Sequence, residues 1–224
     1  MREVLYQGLT YELFEQEAIL TGIGAGTQFV VGFPDVVIPQ NVGGLPVTKI
    51  AKNAFEKVEV KTVTLPNTIK EIETCAFLGC QHLTKVSMST PLAKKDKVRI
   101  QTSAFAYCFS LDNVDIFCVL ELEARAFLAC DKLTKISGTI FYIEESAFRD
   151  CNRIYMLNLQ HNAIVEFNAF YGSTIENIRC LGDVVFSEND IQSFINNDTT
   201  IYCYSDSVTA ELAYRGVAVS CKKR

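Results

Sequence analysis

The sequence predicts a solenoid, in which short strands stack coil upon coil into one extended parallel sheet. Three observations predict it. An Ala-Phe pair recurs six times, with its Phe at Phe55, Phe77, Phe105, Phe127, Phe148 and Phe170, so that successive copies lie 22, 28, 22, 21 and 22 residues apart. A branched aliphatic stands five residues before each Phe: Ile50, Ile72, Ile100, Leu122, Ile143 and Val165. Four copies carry Cys three residues after the Phe, at Cys80, Cys108, Cys130 and Cys151, and a second apolar phrase follows each pair, such as LTKVSM and LTKISG. A fixed period of ~20–29 residues is the signature of stacked units that bury a shared core only together.

Taken in order, residues 9–23 alternate as a hairpin. Leu9, Tyr11 and Leu13 oppose Ala18, Leu20 and Ile23 across a turn at Glu15-Gln16. The glycine cluster GIGAG at 22–26 lacks the spacing of a dinucleotide-binding loop, and the strand-like QFVV follows it rather than a helix, so it reads as a turn. VVIP at 36–39 mimics the VTLP of the first full repeat and is expected to be the first rung. Within a repeat, Leu83, Val86 and Met88 point inward from a short strand while Lys85 and Ser87 point outward, because successive side chains of a strand alternate faces. TPLAKKDK, residues 90–97, occurs in this copy alone, accounts for the 28-residue spacing and predicts a surface loop. The chain then turns back inward through Ile100, Ala104 and Phe105 to Cys108. The six Phe would form a spine and the four Cys a ladder of reduced, buried thiols. Cys packs as a small hydrophobe, and stacked Cβ vectors run parallel rather than toward one another. At the far end, Ser187 would start a helical turn holding Ile191 and Phe194. IYCY, residues 201–204, would be the last rung, and Ser207 would cap a short helix through Tyr214 that stops at Gly216.

Composition narrows the function. Charged residues are scattered along a chain of net charge −5, which argues against a nucleic-acid footprint. No run of ~18 apolar residues suggests membrane insertion, and Glu3, Glu12 and Glu15 interrupt any leader-like apolar stretch at the N-terminus. The nine Cys follow the repeat instead of forming a disulfide framework, no C-x-x-C exists, and the two His, His82 and His161, lie in polar contexts, so no metal site is expected. No hydrolase elbow, phosphate loop or zinc-protease motif occurs. Neither catalytic residues nor a cofactor is expected. Asn197-Asp198-Thr199 is the sole glycosylation sequon and reads as a solvated loop.

What remains is a surface. Alternation places one row of residues outward, away from the core: Asp35 and Val37, Thr62 and Thr64, Lys85 and Ser87, Asn113 and Asp115. It continues with Lys135 and Ser137, Met156 and Asn158, Asn177 and Arg179, Thr200 and Tyr202. Phe117 and Tyr204 flank these rows as candidate aromatic anchors.

The phrase order strand, turn, I-x-x-x-A-F-x-x-C-x-x-L resembles the BspA-like, or treponemal-type, leucine-rich repeat family, and TVTLPNTIKEIETCAFLGCQHLTKV at 62–86 matches its pattern almost throughout. Residues 9–23 with 36–55 resemble the family's usual N-terminal part, and residues 200–219 its usual ending. The departures are the insertion, Gly138 where Leu is usual, and a shortened sixth copy. The resemblance implies a leucine-rich repeat solenoid, its short parallel strands stacked into a curved sheet with irregular or short structure on the convex side. An N-terminal β-hairpin cap and a C-terminal short-helix cap close the ends. One domain would span 1–224, with cap and first strand in 1–45, six repeats in 46–180 and the C-terminal cap in 181–224. The resemblance further implies a non-enzymatic adhesion or host-interaction protein, secreted or at the cell surface, with a cytoplasmic place as the alternative. Its partner would be a protein such as a matrix component, another cell surface, or a glycan. The concave row would hold it, through Thr62, Thr64, Lys85, Ser87, Asn113, Asp115, Phe117, Lys135, Ser137, Met156, Asn158, Asn177, Arg179 and Tyr202. A structural spacer without a ligand of its own is the rival.

Overall fold

The computed structural model describes residues 2–24, 34–90, 96–191, 199–203, 212 and 218–221. Its strands in chain order are β1 (Arg2–Tyr6), β2 (Leu9–Leu13), β3 (Ala18–Ile23), β4 (Asp35–Val37), β5 (Asn41–Val42), β6 (Leu45–Ile50), β7 (Thr62–Leu65), β8 (Glu71–Ile72), β9 (Lys85–Met88) and β10 (Lys97–Ile100). There follow β11 (Asn113–Asp115), β12 (Val119–Leu122), β13 (Lys135–Ile136), β14 (Thr139–Ile143), β15 (Ile154–Val165), β16 (Ile175–Cys180), β17 (Val184–Val185), β18 (Thr200–Cys203) and β19 (Ala218–Cys221).

They form a β-solenoid of two parallel strips. The strand that opens each coil builds the first, in the order β4, β7, β9, β11, β13, β15, β16, β18, β19. The strand carrying the aliphatic before each Ala-Phe pair builds the second, through β6, β8, β10, β12, β14 and β15, and β17 extends it by one strand. The parallel stack, the hairpin at the N-terminal end and the first rung at VVIP agree with the sequence reading. The second strip adds strands to the stretch expected to be irregular. It bears the same inward aliphatics, so the inward column is continuous: Ile50, Ile72, Ile100 and Leu122 stand side by side in register.

The core lies between the strips and the Ala-Phe turns. All six spine rings are fully buried. They stack nearly parallel, at 4.9 Å between the centroids of Phe55 and Phe77, 5.0 Å from Phe77 to Phe105, and 5.7 Å by the last pair, Phe148 and Phe170. These separations fall in the favourable range for ring pairs. The Phe N–H of one coil donates to the Ala carbonyl of the next at 2.7–2.8 Å through the first five copies. The Cys ladder is buried and reduced. Each thiol donates to the Phe carbonyl one coil back: Cys80 to Phe55 at 2.9 Å, Cys108 to Phe77 at 3.1 Å, Cys130 to Phe105 at 3.2 Å and Cys151 to Phe127 at 3.0 Å. The sixth copy, which lacks the Cys, keeps the bond through the hydroxyl of Ser173, which donates to the Phe148 carbonyl. Val58 holds the same place after Phe55, the first spine ring among the described residues, and packs apolar against the core.

The turn around each Phe needs left-handed backbone two residues before and two after it. Cys75, Ser103 and Arg125 occupy the first place at φ of 57–59°, and Tyr107, Ala129 and Asp150 the second at 56–61°, although none is glycine. Gly79 and Gly172 fill the second place in two copies. Tight coil-to-coil hydrogen bonding holds this otherwise unfavourable conformation.

At the N-terminal end β2 pairs with β3 as expected, Tyr11 opposite Leu20 and Leu13 opposite Ala18, around a turn closed by Phe14 N–H to Glu17 O at 2.9 Å. Two differences stand out. β1 joins as a third antiparallel strand through a two-residue turn at Gln7-Gly8, both with positive φ, as such hairpins require. Gly22 and Ile23 still belong to β3, so the strand runs into the glycine cluster; the remainder of that predicted turn, residues 25–26, and QFVV lie outside the described residues. The sheet thus starts with an antiparallel cap whose β3 pairs in parallel with β6.

At the other end Ser187 opens the expected helical turn. Its hydroxyl accepts from Asp190 N–H at 3.3 Å, Ile191 N–H donates to Ser187 O at 3.1 Å, and Ile191 is buried. Asp190 takes the role that the next Ala carbonyl would have had, its Oδ1 accepting from Phe170 N–H at 3.1 Å. IYCY is not the last rung: β18, which covers its first three residues, pairs in parallel with β19 beyond it, Ile201 opposite Val219. Phe194, Asn197 and Tyr204 lie outside the described residues, as do Ser207, Tyr214 and Gly216 of the expected helix; Leu212 within it is helical and buried. Most of the insertion, residues 91–95, lies outside them as well, and its last residue, Lys97, already starts β10.

Candidate partner-binding face

Alternation on the first strip builds the candidate face. Val63, Val86, Val114, Ile136, Leu157, Ile178 and Ile201 are buried, so the residues on either side of each face outward. The registers align these into two columns running across the rungs. Thr62 pairs with Lys85, Lys85 with Asn113, Asn113 with Lys135, Lys135 with Met156, Met156 with Asn177, and Asn177 with Thr200. The second column joins Thr64, Ser87 and Asp115, passes Ser137, and joins Asn158, Arg179 and Tyr202. Asp35 and Val37 precede Thr62 and Thr64. Every outward residue named from the sequence therefore lies on this one face, and Phe117 stands exposed at its margin.

One electrostatic centre dominates the face. Asp115 Oδ2 lies 3.3 Å from Lys85 Nζ and its Oδ1 3.3 Å from Lys135 Nζ, while Ser137 Oγ donates to Oδ1 at 2.7 Å. Partial burial pushes the Asp115 carboxyl up, but the Ser137 hydroxyl and the two ammonium groups outweigh it and hold it below its ordinary value. Two cations around one anion leave the centre net positive. Farther along the same column Arg179 is exposed and makes no ion pair among the described residues.

Beside this centre the face sinks. Phe117, Lys135, Ser137, Tyr155, Met156 and Asn158 line a depression of ≈ 650 Å³. A second of ≈ 330 Å³ adjoins it between Phe117, Cys118, Gly138 and Leu181. Gly138 lies on the border of the latter. Phe117 sits in a three-residue turn closed by Cys118 N–H to Ile116 O at 2.9 Å, and the carbonyls of Ile116 and Cys118 crowd Gly138 so closely that a Cβ there would lie 2.7 and 2.9 Å from them. The Leu usual at this position has no space, which accounts for that departure. Alternation alone missed Tyr155 and Leu181, exposed beside the rows: Tyr155 shares the parity of buried Leu157 within β15 and breaks the alternation there, and Leu181 lies just past the end of β16.

No group of metal-ligating side chains occurs among the described residues. His82 and His161 are both exposed, and His161 packs against Gly182. No helix among the described residues is long and apolar enough to cross a membrane.

The family model of the BspA-type leucine-rich repeat region matches residues 48–176 and 94–197, in six copies. Among solved structures, a leucine-rich cell surface protein from Faecalibacterium prausnitzii superposes with a TM-score of 0.67 at 21% identity over 92% of this chain. This chain spans 56% of that protein's length. A leucine-rich repeat protein of T. pallidum superposes with a TM-score of 0.59 at 22% identity, covering 98% of each chain. At these identities the likeness is one of fold. A comparison with curated proteins finds no match.

Proposed function

From the premise that the chain belongs to the BspA-type leucine-rich repeat family, we propose that it is a non-enzymatic binding module of the cell surface or the secreted space, holding a protein partner on the face of its first strip. The observation that carries this reading is the in-register double column of outward side chains with a net-positive centre at Lys85, Asp115 and Lys135 and an exposed Arg179. Its mixture of charge, amide, hydroxyl and a few aromatics suits recognition of another macromolecule over a broad contact. The cell-surface relative from F. prausnitzii supports the location.

The test is capture of matrix proteins and whole cells by the chain and by a variant with Lys85→Ala, Asp115→Ala, Lys135→Ala and Arg179→Ala combined. The expected outcome is a loss of affinity of about tenfold or more, ~1.4 kcal/mol, with the thermal melt preserved. Undiminished capture by the variant would move the site off this face, and a chain that captures nothing would be a spacer.

A further inference from the structure

The geometry points to an extended acidic peptide segment as the occupant of this face, laid across the rungs with two carboxylates that flank one apolar side chain. This rests on the sheet-face reading above and names the chemistry of its partner.

Three features of the face set the pattern. The first is the net-positive centre, whose Lys85 and Lys135 side chains remain 46% and 59% exposed and free to share a second carboxylate. The second is the depression beside it. Tyr155 stands before the outward pair of its strand and Phe117 after that of its own, so they border the depression from opposite margins of the parallel strip at 59% and 49% exposure. Between them lies Met156, and Asn158 offers an amide that makes no hydrogen bond among the described residues. The third is the unpaired Arg179, beside Asn158 on the next rung.

The spacing of these features fits an extended chain. Asp115 and Arg179 are separated by three rungs at ~4.8 Å each, about 14 Å, and residues four apart in an extended peptide lie about 14 Å apart on one face at ~3.4 Å per residue. The residue midway between them faces the same way and meets the depression. A core of the form Glu-x-Phe-x-Glu therefore brings one carboxylate to Lys85 and Lys135, an apolar group between Phe117 and Tyr155, and the other carboxylate to the Arg179 guanidinium, which suits bidentate carboxylate pairing. The Asn158 amide meets the peptide backbone. A neutral glycan on the same surface would cover both cationic centres without pairing them, which is unfavourable.

The test uses fluorescence anisotropy with short labelled peptides: one with the Glu-x-Phe-x-Glu core, a basic twin with Lys-x-Phe-x-Lys, and a contracted Glu-Phe-Glu whose carboxylates lie only about 7 Å apart. The protein is tested as wild type, Arg179→Glu, Lys135→Glu and, as a charge-matched control away from the face, Lys132→Glu. The expected result is binding of the first peptide about tenfold or more tighter than of either other, a comparable loss in Arg179→Glu and Lys135→Glu, and none in Lys132→Glu. Equal binding of the three peptides, or an equal loss in Lys132→Glu, would overturn the inference. A random peptide-display selection, wild type against the fourfold alanine variant, separates the two claims. Binders that need the face but lack the acidic pattern overturn this inference and leave the broader reading standing. The absence of any face-dependent binder, of peptide or matrix protein, overturns both.

Discussion

The carbonyls of Phe55, Phe77, Phe105 and Phe127 each accept two donors. One is the N–H three residues on, as from Cys80 to Phe77 at 3.2 Å, and the other is the thiol of the following coil, as from Cys108 to Phe77 at 3.1 Å. Period and burial were legible for these Cys in the sequence; the acceptor was not, because it is a backbone atom a whole coil away. Ser173 shows that a hydroxyl serves as well, and nothing local to YGST announced it. Burial pushes the Cys130 thiol well up and that of Cys151 up to about 12, so these groups lack both access and thiolate. In native protein treated with a thiol reagent, half-exposed Cys75 should label while Cys80, Cys108, Cys130 and Cys151 label only after denaturation, as mass spectrometry of the separate peptides would report. Two carboxyls should behave oppositely with pH. Burial raises Asp190 above its ordinary value despite its bonds from Ser187 and Phe170 N–H. The folded chain thus binds that proton more readily, and stability from this group is full below the unfolded value and lost as pH rises through the folded one. Asp115, held low, contributes above its unfolded value, and that contribution is lost as pH falls through the folded one. Asp190→Asn should therefore melt higher than wild type at neutral pH and Asp115→Asn lower; the first difference narrows as pH falls through the raised folded value of Asp190, and the second only as pH falls below the ordinary Asp value of about 3.9 and through the lowered folded value of Asp115.

Strands of the first strip were legible because polar and apolar residues alternate cleanly in TVTL, KVSM and NVD, and one face of each is solvated. The second strip was harder to see. Strands such as β8 span two residues, too few for a period to register, and their outward side chains are taken up by ion pairs of Lys49 with Glu17 and Glu71 and of Arg99 with Glu121. The left-handed residues around each Phe were equally hidden, since only Gly79 and Gly172 among them advertise such a conformation. β1 and β19 belong to no repeat and so carried no period. Gly138 offers a check on the link between a strand end and the depression. Gly138→Leu should lower the melting temperature markedly, because the obstructing atoms are the backbone carbonyls of Ile116 and Cys118 and cannot swing aside. A melt equal to that of wild type would show that the three-residue turn at Phe117 yields easily.

At the scale of the molecule each coil touches mainly its neighbours, so stability is close to a sum of coil and interface terms. Phe127 stacks on Phe105 at 5.3 Å and on Phe148 at 5.5 Å, and its loss weakens two interfaces at once. Phe127→Ala should cost about 3–5 kcal/mol by chemical denaturation, and a loss below about 1 kcal/mol would remove the ring from any central role.

The long spacing between the second and third Phe has a consequence of its own. The copy from Phe77 to Phe105 is six residues longer than the 22-residue copies, yet after β9 ends at Met88 the chain is back in the lattice by Arg99, which again lies opposite Glu71, as Ile100 does opposite Ile72. The corner between the strips absorbs added length without passing any shift on to later rungs. It is therefore a natural graft point: a foreign epitope or reporter spliced there would ride on the scaffold while every later coil kept its place.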